Sequence, residues 1–406
     1  MRIAVVGAGV VGLCCAHALL DEGHAVTVLD AGMAWAPSLG NAGWIASHNV
    51  MPLASPKMWR HVPRWLADPL GPLAIRPAYL PRLLPWLWRY LAASRRARIL
   101  AAMHSITDLN RLALPEWERR LAALGLSGHL RRRGFLKLFA SRAARDAQAD
   151  IFEWQRRHQI RLDLVEGEAL RALEPALTGV AAFYPDGVHV SDPGLLAGAL
   201  REAAAGRGAT LLPARIVALR PNGVGVALQS EAGAVLEAER VVVAAGAWSH
   251  RLAAGLGHRI PLETERGYNV TLPAGRLGLS RPVDFDGEGF VITTLDSGDR
   301  VGGSVEFAGL AAAPDFRRVD AMLARLRRCL PLADLSGGTR WMGFRPSLPD
   351  SLPVIGPAAD PRVMLAFGHN HYGLTQAAVT GRLVADMLAG RAAPLEMAPF
   401  AAGRFA

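Results

Sequence analysis

The residues with the clearest chemistry stand at the start of the chain. Gly7-Ala8-Gly9-Val10-Val11-Gly12 follows the β-branched run 2–6 and precedes a helical pattern over 13–20. Glycines at this spacing suit a pyrophosphate. Gly7 permits a tight turn, Gly9 lets the backbone approach a ligand, and Gly12 lets helix and strand pack closely. The helix start at Val10 and Val11 offers N–H groups and a positive dipole end to phosphates. Asp30 stands 18 residues after Gly12, at the end of a second strand-like run over 24–29. A carboxylate there takes ribose hydroxyls, the alternative being a solvated turn acid. The motif by itself does not separate FAD from NAD.

Other polar residues sit at the ends of apolar runs. Asn41-Ala42-Gly43 lies within a loop-like stretch over 31–57, and 241–245 is an apolar strand entering Gly246. Gly246 allows a close backbone approach to a flat ligand, or makes an ordinary strand-to-helix turn. Arg345 precedes Pro346, which forces an extended backbone.

These residues need elements to hold them. Helical patterns cover 80–125, 141–158, 164–173, 193–205, 317–330 and 375–388. Strands are predicted at 134–139, 210–213, 216–220, 241–245 and 363–367, with several more within 258–308. Residues 180–184 and 188–190 read as a hairpin. The interleaving predicts an α/β chain of two domains that exchange segments. One is Rossmann-like and comprises 1–50, 192–257 and 344–406. The other is an α+β substrate lobe containing a sheet, over 51–191 and 258–343.

Composition narrows the class. A chain of 406 residues with 51% hydrophobic and 20% charged residues can bury a large core and is neither disordered nor fibrous. Lys57 and Lys137 are the only lysines, so 43 of the 45 basic residues are arginines, and the formal charge is +10. The arginines form no clustered stripe, which argues against nucleic acid. Anionic substrates and an anionic membrane surface stay open. Cys14, Cys15 and Cys329 make no disulfide framework and no metal-ligand spacing, so no metal is expected. No signal peptide and no uninterrupted run of about 20 apolar residues is seen. The expectation is a cytoplasmic protein, with a peripheral position on the inner face of the cytoplasmic membrane left open. Residues 58–91 carry Trp59, Trp65, Trp86 and Trp88 among five arginines. They can lie in a membrane interface or, as favoured here, pack on the substrate domain.

Five segments coincide in order: GAGVVG (7–12), NAG (41–43), VVVAAGAW (241–248), GFRPSLPDSLPVIGP (343–357) and GHNHYGLTQAAVTGRLVADML (368–388). Together they resemble the FAD-dependent D-amino-acid oxidase superfamily, and most closely its bacterial D-amino-acid dehydrogenase small-subunit group. RGYNVTLP (266–273) is similar to that group as well. The resemblance implies FAD rather than NAD. It places Asn41, Ala42, Gly43, Ala245, Gly246, Gly368, His369, Asn370, Gly373, Leu374 and Thr375 at the cofactor, beside Gly7, Gly9, Val10, Val11, Gly12 and Asp30.

The resemblance further implies that Arg345 binds the substrate carboxylate, a task suited to a planar fork of donors. Tyr268 either bonds that carboxylate, walls the pocket, or is a buried tyrosine satisfied by backbone. His371 and Tyr372 contact flavin or substrate, or serve in capping and packing. Arg266 is expected to make a structural pairing. His48 is not expected to carry the flavin covalently. The relatives' oxidase branch has a tyrosine over the flavin where this chain offers Phe290, which favours a dehydrogenase. The implied reaction is oxidative deamination of a D-amino acid by hydride transfer to flavin N5, yielding a 2-oxo acid and ammonia, with electrons passed to a quinone or other non-oxygen acceptor. Alternatives are oxidation of a secondary amine such as D-hydroxyproline, D-proline, sarcosine or glycine, a flavin subunit of a heteromeric dehydrogenase, and a nicotinamide dehydrogenase. A homo- or hetero-oligomer is compatible with all of these.

Overall fold

The computed structural model describes residues 1–32, 36–53, 68 and 70–406. Trp59 and Trp65 lie outside them. The first sheet has six strands in the order Thr210–Pro213, Ala25–Asp30, Arg2–Val6, Arg240–Val243, Val363–Phe367 and Val354–Pro357. All neighbours are parallel except the last pair. Parallel strands covered on both faces must be apolar throughout, and Ile3, Ala4, Val5 and Val6 are all buried.

Successive side chains point to opposite faces. Ile3, Val5, Val242 and Met364 therefore meet the helices Val10–Asp21, Arg96–Ala123 and Gly373–Leu388. Ala4, Val6, Val241 and Val243 meet a three-stranded antiparallel layer, Ile216–Pro221, Val226–Ser230 and Val235–Ala238, and the Ser249–Gly255 helix. The first and last of the long helices touch backbone to backbone. A side chain on Gly381 would stand 2.5 Å from the Cys14 carbonyl oxygen.

The second sheet has nine strands. Their path runs Thr339–Ser347, Glu263–Leu272, Gly298–Phe307, Phe290–Leu295, Val283–Phe285, Phe135–Phe139, Val180–Tyr184 and Asp163–Glu166, with Leu73–Ile75 added to Gly298–Phe307. One face packs Phe290, Ile292, Val270 and Phe344 against Val319, Met322 and Leu326 of the Arg317–Cys329 helix. The other face looks into the cavity described below.

Several sequence expectations differ from this arrangement. The 164–173 segment is a strand, Asp163–Glu166, followed by a helix, Gly167–Leu173; Gly167 sits at φ +57°, where the strand stops. The 141–158 helix is two helices, Arg142–Asp146 and Ala149–Arg157. Val180–Tyr184 and Val188–Val190 are not paired as a hairpin. The second pairs instead with Trp44–Ile45 and Leu130–Arg132, in a separate small sheet. The helix Arg96–Ala123 falls in the stretch read as substrate lobe, yet Ala102, Ile106 and Leu109 share a core with Ile3 and Val5. The boundary at 343/344 falls inside the continuous strand Thr339–Ser347.

Candidate active site

A cavity of about 580 Å³ runs from Leu29, Asp30 and Ala214, past the first glycine turn, to the inner face of the nine-stranded sheet. At its first end the three glycines do three different things. Gly7 has φ +109°, and a side chain there would lie 2.4 Å from the Ala244 carbonyl oxygen. A side chain on Gly12 would lie 1.9 Å from the Gly7 carbonyl oxygen, so Gly12 sets helix packing and does not border the cavity. Gly9, in extended backbone, does border it.

The Val10–Asp21 helix begins with no cap from its own N-cap residue, Gly9, but Val10 N–H donates to Ser38 Oγ at 3.0 Å. Ser38 was not singled out in the sequence. Val10 and Val11 both line the cavity. Asp30 is not a solvated turn acid. Its Oδ2 accepts the Ala8 N–H at 2.6 Å and its Oδ1 the Gly32 N–H at 2.7 Å, so it braces the glycine turn while facing the cavity.

The loop 38–43 is fixed from the far sheet. Asn269 Nδ2 donates to the Gly40 carbonyl at 2.8 Å and Arg300 Nη1 to the Asn41 carbonyl at 2.7 Å. Asn41 and Ala42 line the cavity, but Gly43 does not: at φ +83° its carbonyl accepts from Val190 N–H. Ala245 and Gly246 line it between the two ends. A turn closed to side chains, a helix start, an acid beyond the second strand and a long apolar slot fit a dinucleotide such as FAD.

At the other end the last strand of the first sheet enters Gly368, and the Gly373–Leu388 helix starts with no side-chain cap. Its first N–H groups therefore face a cavity wall with a partial positive charge. Gly368, His369, Asn370, Gly373, Leu374 and Thr375 all line the cavity. The side chains brace the turn. His369 Nε2 meets Thr380 Oγ1 at 3.0 Å, and burial pushes its pKa down to about 3, so the ring is neutral. Asn370, at φ +50°, accepts the Leu348 N–H at 2.7 Å. Thr375 Oγ1 accepts the Ala46 N–H at 3.0 Å, and Tyr372 donates its hydroxyl to the Met51 carbonyl at 2.8 Å.

The floor at this end is the second sheet. Gly267, Gly302 and Gly343 face the cavity from three adjacent strands. Arg345 lies in their midst. Its Cζ is 2.2 Å from where a Gly267 side chain would begin, and its Nη1 donates to the Ser304 carbonyl at 3.1 Å. Only a glycine opposite leaves this guanidinium room. The Trp341 ring similarly occupies the space of absent side chains at Gly40 and Gly343.

Glu265, paired with Arg345 across the strands, completes the group. Its Oε2 is 2.8 Å from His371 Nε2, and its Oε1 accepts from Ser347 Oγ at 2.6 Å. Burial works against its charge, but His371, Ser347 and Arg345 together hold its carboxyl below the ordinary range. Burial lowers the Arg345 pKa, and Glu265 opposes that shift. Sequence reading missed Glu265. Strand alternation was the available signal, since 265, 267 and 269 must share a face.

One set of alternatives is narrowed and one expectation is corrected here. Tyr268 borders the cavity, but its hydroxyl donates to Glu306 Oε2 at 2.6 Å and accepts the Asp315 N–H at 3.1 Å, so it is spent inside the lobe. Phe290 is buried in the core against Phe285, and the cavity meets its neighbour Val291. The argument from Phe290 to a dehydrogenase therefore lapses. Arg266 is structural, as expected: it donates to the Gly309 and Ala312 carbonyls and lies 3.7 Å from Glu306. His48 borders a smaller side cavity rather than this one.

A family described as DAO, FAD dependent oxidoreductase, matches residues 2–387. A D-amino-acid oxidase of Bradyrhizobium diazoefficiens is 38% identical, over 100% of this chain and 99% of its own. A D-amino acid dehydrogenase of the same organism is 30% identical over the same shares. Among solved structures, iminodiacetate oxidase from Chelativorans superposes with a TM-score of 0.75 at 20% identity, covering 98% of each chain. Glycine oxidase from Geobacillus kaustophilus gives 0.72 at 24%, with the same coverage. These two carry the fold.

Proposed function

Because the chain belongs to the DAO family of FAD dependent oxidoreductases, we propose that it oxidises the Cα–N bond of D-amino acids, with Arg345 as the carboxylate anchor. FAD, when bound, supplies the hydride acceptor. The names of the relatives support the D configuration, and one observation carries the site: a half-buried guanidinium on the floor of the cavity whose other end is the glycine turn.

The protein's own part is orientation and charge. Arg345 receives the carboxylate on its planar fork, which fixes the face that Cα presents. Ser304 and Glu265 keep the fork in place. His371, paired behind the wall with Glu265, faces the same space and takes the proton of the substrate ammonium, leaving a neutral amine from which hydride departs. The uncapped start of the Gly373–Leu388 helix favours negative charge at that wall. Gly267, Gly302 and Gly343 give the substrate its room. The imino acid then leaves and hydrolyses in water to a 2-oxo acid and ammonia.

We read the electron acceptor as a quinone or similar carrier at a membrane surface. The supporting observation is the Leu80–Ala93 helix. Leu83, Trp86 and Tyr90 are buried against Phe307, while Leu80, Leu84, Trp88 and Leu91 form an exposed stripe, with Trp88 71% exposed. Arg82, Arg89, Arg95 and Arg96 stand exposed beside it. Among the described residues no helix is long and apolar enough to cross a membrane.

The test is anaerobic addition of single D- and L-amino acids to the yellow holoprotein. Bleaching by D but not L isomers is expected, and no bleaching by any of them overturns the reading. Readmitting oxygen or a quinone analogue then shows which one restores the colour.

A further inference from the structure

The inner face of the second sheet continues beyond the glycine patch. The cross-strand register sets Trp341, Asn269, Gly302, Val291, Asp284 and Lys137 in one row. At the end of that row a side cavity of about 180 Å³ opens, and Asp284, Trp44 and Asn49 line both it and the main cavity. Asp284 is therefore the gatepost between them.

The walls of the side cavity are aromatic. Trp44 stacks on Phe135 at 4.8 Å, and the His48 ring lies 4.9 Å from Phe135 and 4.4 Å from Tyr184. His48 is kept neutral, its pKa pushed by burial down to about 3, and its Nδ1 is buried without a partner. The charges are uneven. Lys137 Nζ lies 3.0 Å from Asp286 and 3.9 Å from Asp284. Burial presses that ammonium toward neutrality, yet the two aspartates outweigh it and raise its pKa. Two carboxylates thus face one cation. Asp286 takes the close contact, and among the described residues the Asp284 carboxylate has no hydrogen bond and only the distant Lys137. A half-satisfied carboxylate at the mouth of an aromatic box is chemistry for a cation with N–H donors.

The spacing suits an amino acid held at its far end by Arg345. Gly267, over which that guanidinium lies, is three strand steps across and two residues along from Asp284. At about 4.8 Å a step and about 3.3 Å a residue that is about 16 Å between backbones, and the Asp284 side chain reaches in from its end. An extended lysine or arginine, with a hydrogen bond at each terminus, bridges such a gap, whereas alanine does not.

We propose that Asp284 and the aromatic side cavity form a subsite for the cationic side chain of the substrate, so that basic D-amino acids are preferred. This rests on the reading of Arg345 as carboxylate anchor. Lys137 acts as a positioning residue: paired with Asp286, it holds the Asp284 carboxylate at the mouth without neutralising it.

The test compares D-lysine, D-arginine, D-alanine and D-glutamate as reductants of the holoprotein under anaerobic conditions, by stopped flow. The second-order rate constant of flavin reduction by D-lysine and D-arginine is expected to exceed that by D-alanine at least tenfold, and Asp284→Asn is expected to collapse that ratio. Equal rates, or a preference for D-glutamate, overturn the proposal while leaving D-amino-acid oxidation intact. Reduction by none of them removes the underlying reading instead. A second measurement needs no turnover and no variant. By calorimetry, 6-aminohexanoate, which is lysine without its α-amine, is expected to bind the wild-type holoprotein at least ten times more tightly than hexanoate. Equal affinities overturn the subsite.

Discussion

Arg345 does its work through two neighbours that hold it and one that is missing a side chain. The Ser304 carbonyl accepts from it, Glu265 faces it, and Gly267 leaves it space. Arg345→Leu removes the anchor without touching the glycine turn. A charge-assisted bidentate pair is worth a few kcal/mol, so KM is expected to rise by about two orders of magnitude with flavin still bound. Steady-state kinetics with a dye acceptor, together with the visible spectrum of the purified variant, checks both parts. Gly267→Ala is expected to mimic this loss, since its methyl group would lie 2.2 Å from the guanidinium carbon. Glu265→Gln keeps the shape and removes the charge shared with His371. Its expected mark is a lower kcat with a shifted pH profile and little change in KM, which a pH series of kcat and kcat/KM reads.

At the scale of elements, two helices make separate demands. Gly373–Leu388 must lie against Val10–Asp21 closely enough to bring both N-termini to one cavity, and Gly381 permits it. Gly381→Ala puts a methyl group 2.5 Å from the Cys14 carbonyl oxygen, which is backbone and cannot swing aside. Overpacking of this kind costs about 1–3 kcal/mol, so a lower melting temperature and weaker flavin retention are expected together in a thermal melt followed by flavin fluorescence. The Leu80–Ala93 helix makes the opposite demand, since one apolar face is buried and another is open. Trp88→Glu is expected to abolish flotation with anionic liposomes at low salt while leaving flavin content unchanged. Flotation that persists in this variant would separate the stripe from any membrane contact.

Among the described residues burial presses six histidines toward neutrality, four of them far, His17 and His189 to about 4 and His48 and His369 to about 3, with His24 and His250 lowered as well. An unfolded chain takes up their protons near pH 6.5, while the folded chain resists until much lower. Protons then favour the unfolded state, so stability falls as pH drops from about 6.5 toward 4. Glu265, held below its ordinary range, adds the same sign at lower pH. Loss of stability is therefore expected to begin above the carboxylate range, with a contribution on the order of 1–2 kcal/mol from each of those four histidines by pH 5. Melting temperatures across pH 5–8 check this, and a flat profile down to pH 5 would contradict it.

What the sequence determined by itself is the part of the protein whose neighbours in space are neighbours in the chain. The glycine turn, its strand, its helix and Asp30 lie within 30 residues, and local rules of turn geometry and helix termini are enough to read them. Arg345 and the turn after Gly368 came from longer motifs, again contiguous. Tertiary structure decided everything that depends on strands from distant segments lying side by side. Arg345 meets Glu265 and Gly267, and Asp284 meets Lys137, through pairings made across 80 and 147 residues. Register also decides faces, because side chains alternate at every residue. That turned Phe290 and the Tyr268 hydroxyl into the lobe and brought Val291 and Asp284 to the cavity. It likewise took Val188–Val190 from an expected hairpin to another sheet. A period of two tells which residues share a face, but only the packed layers on either side tell which face holds the chemistry.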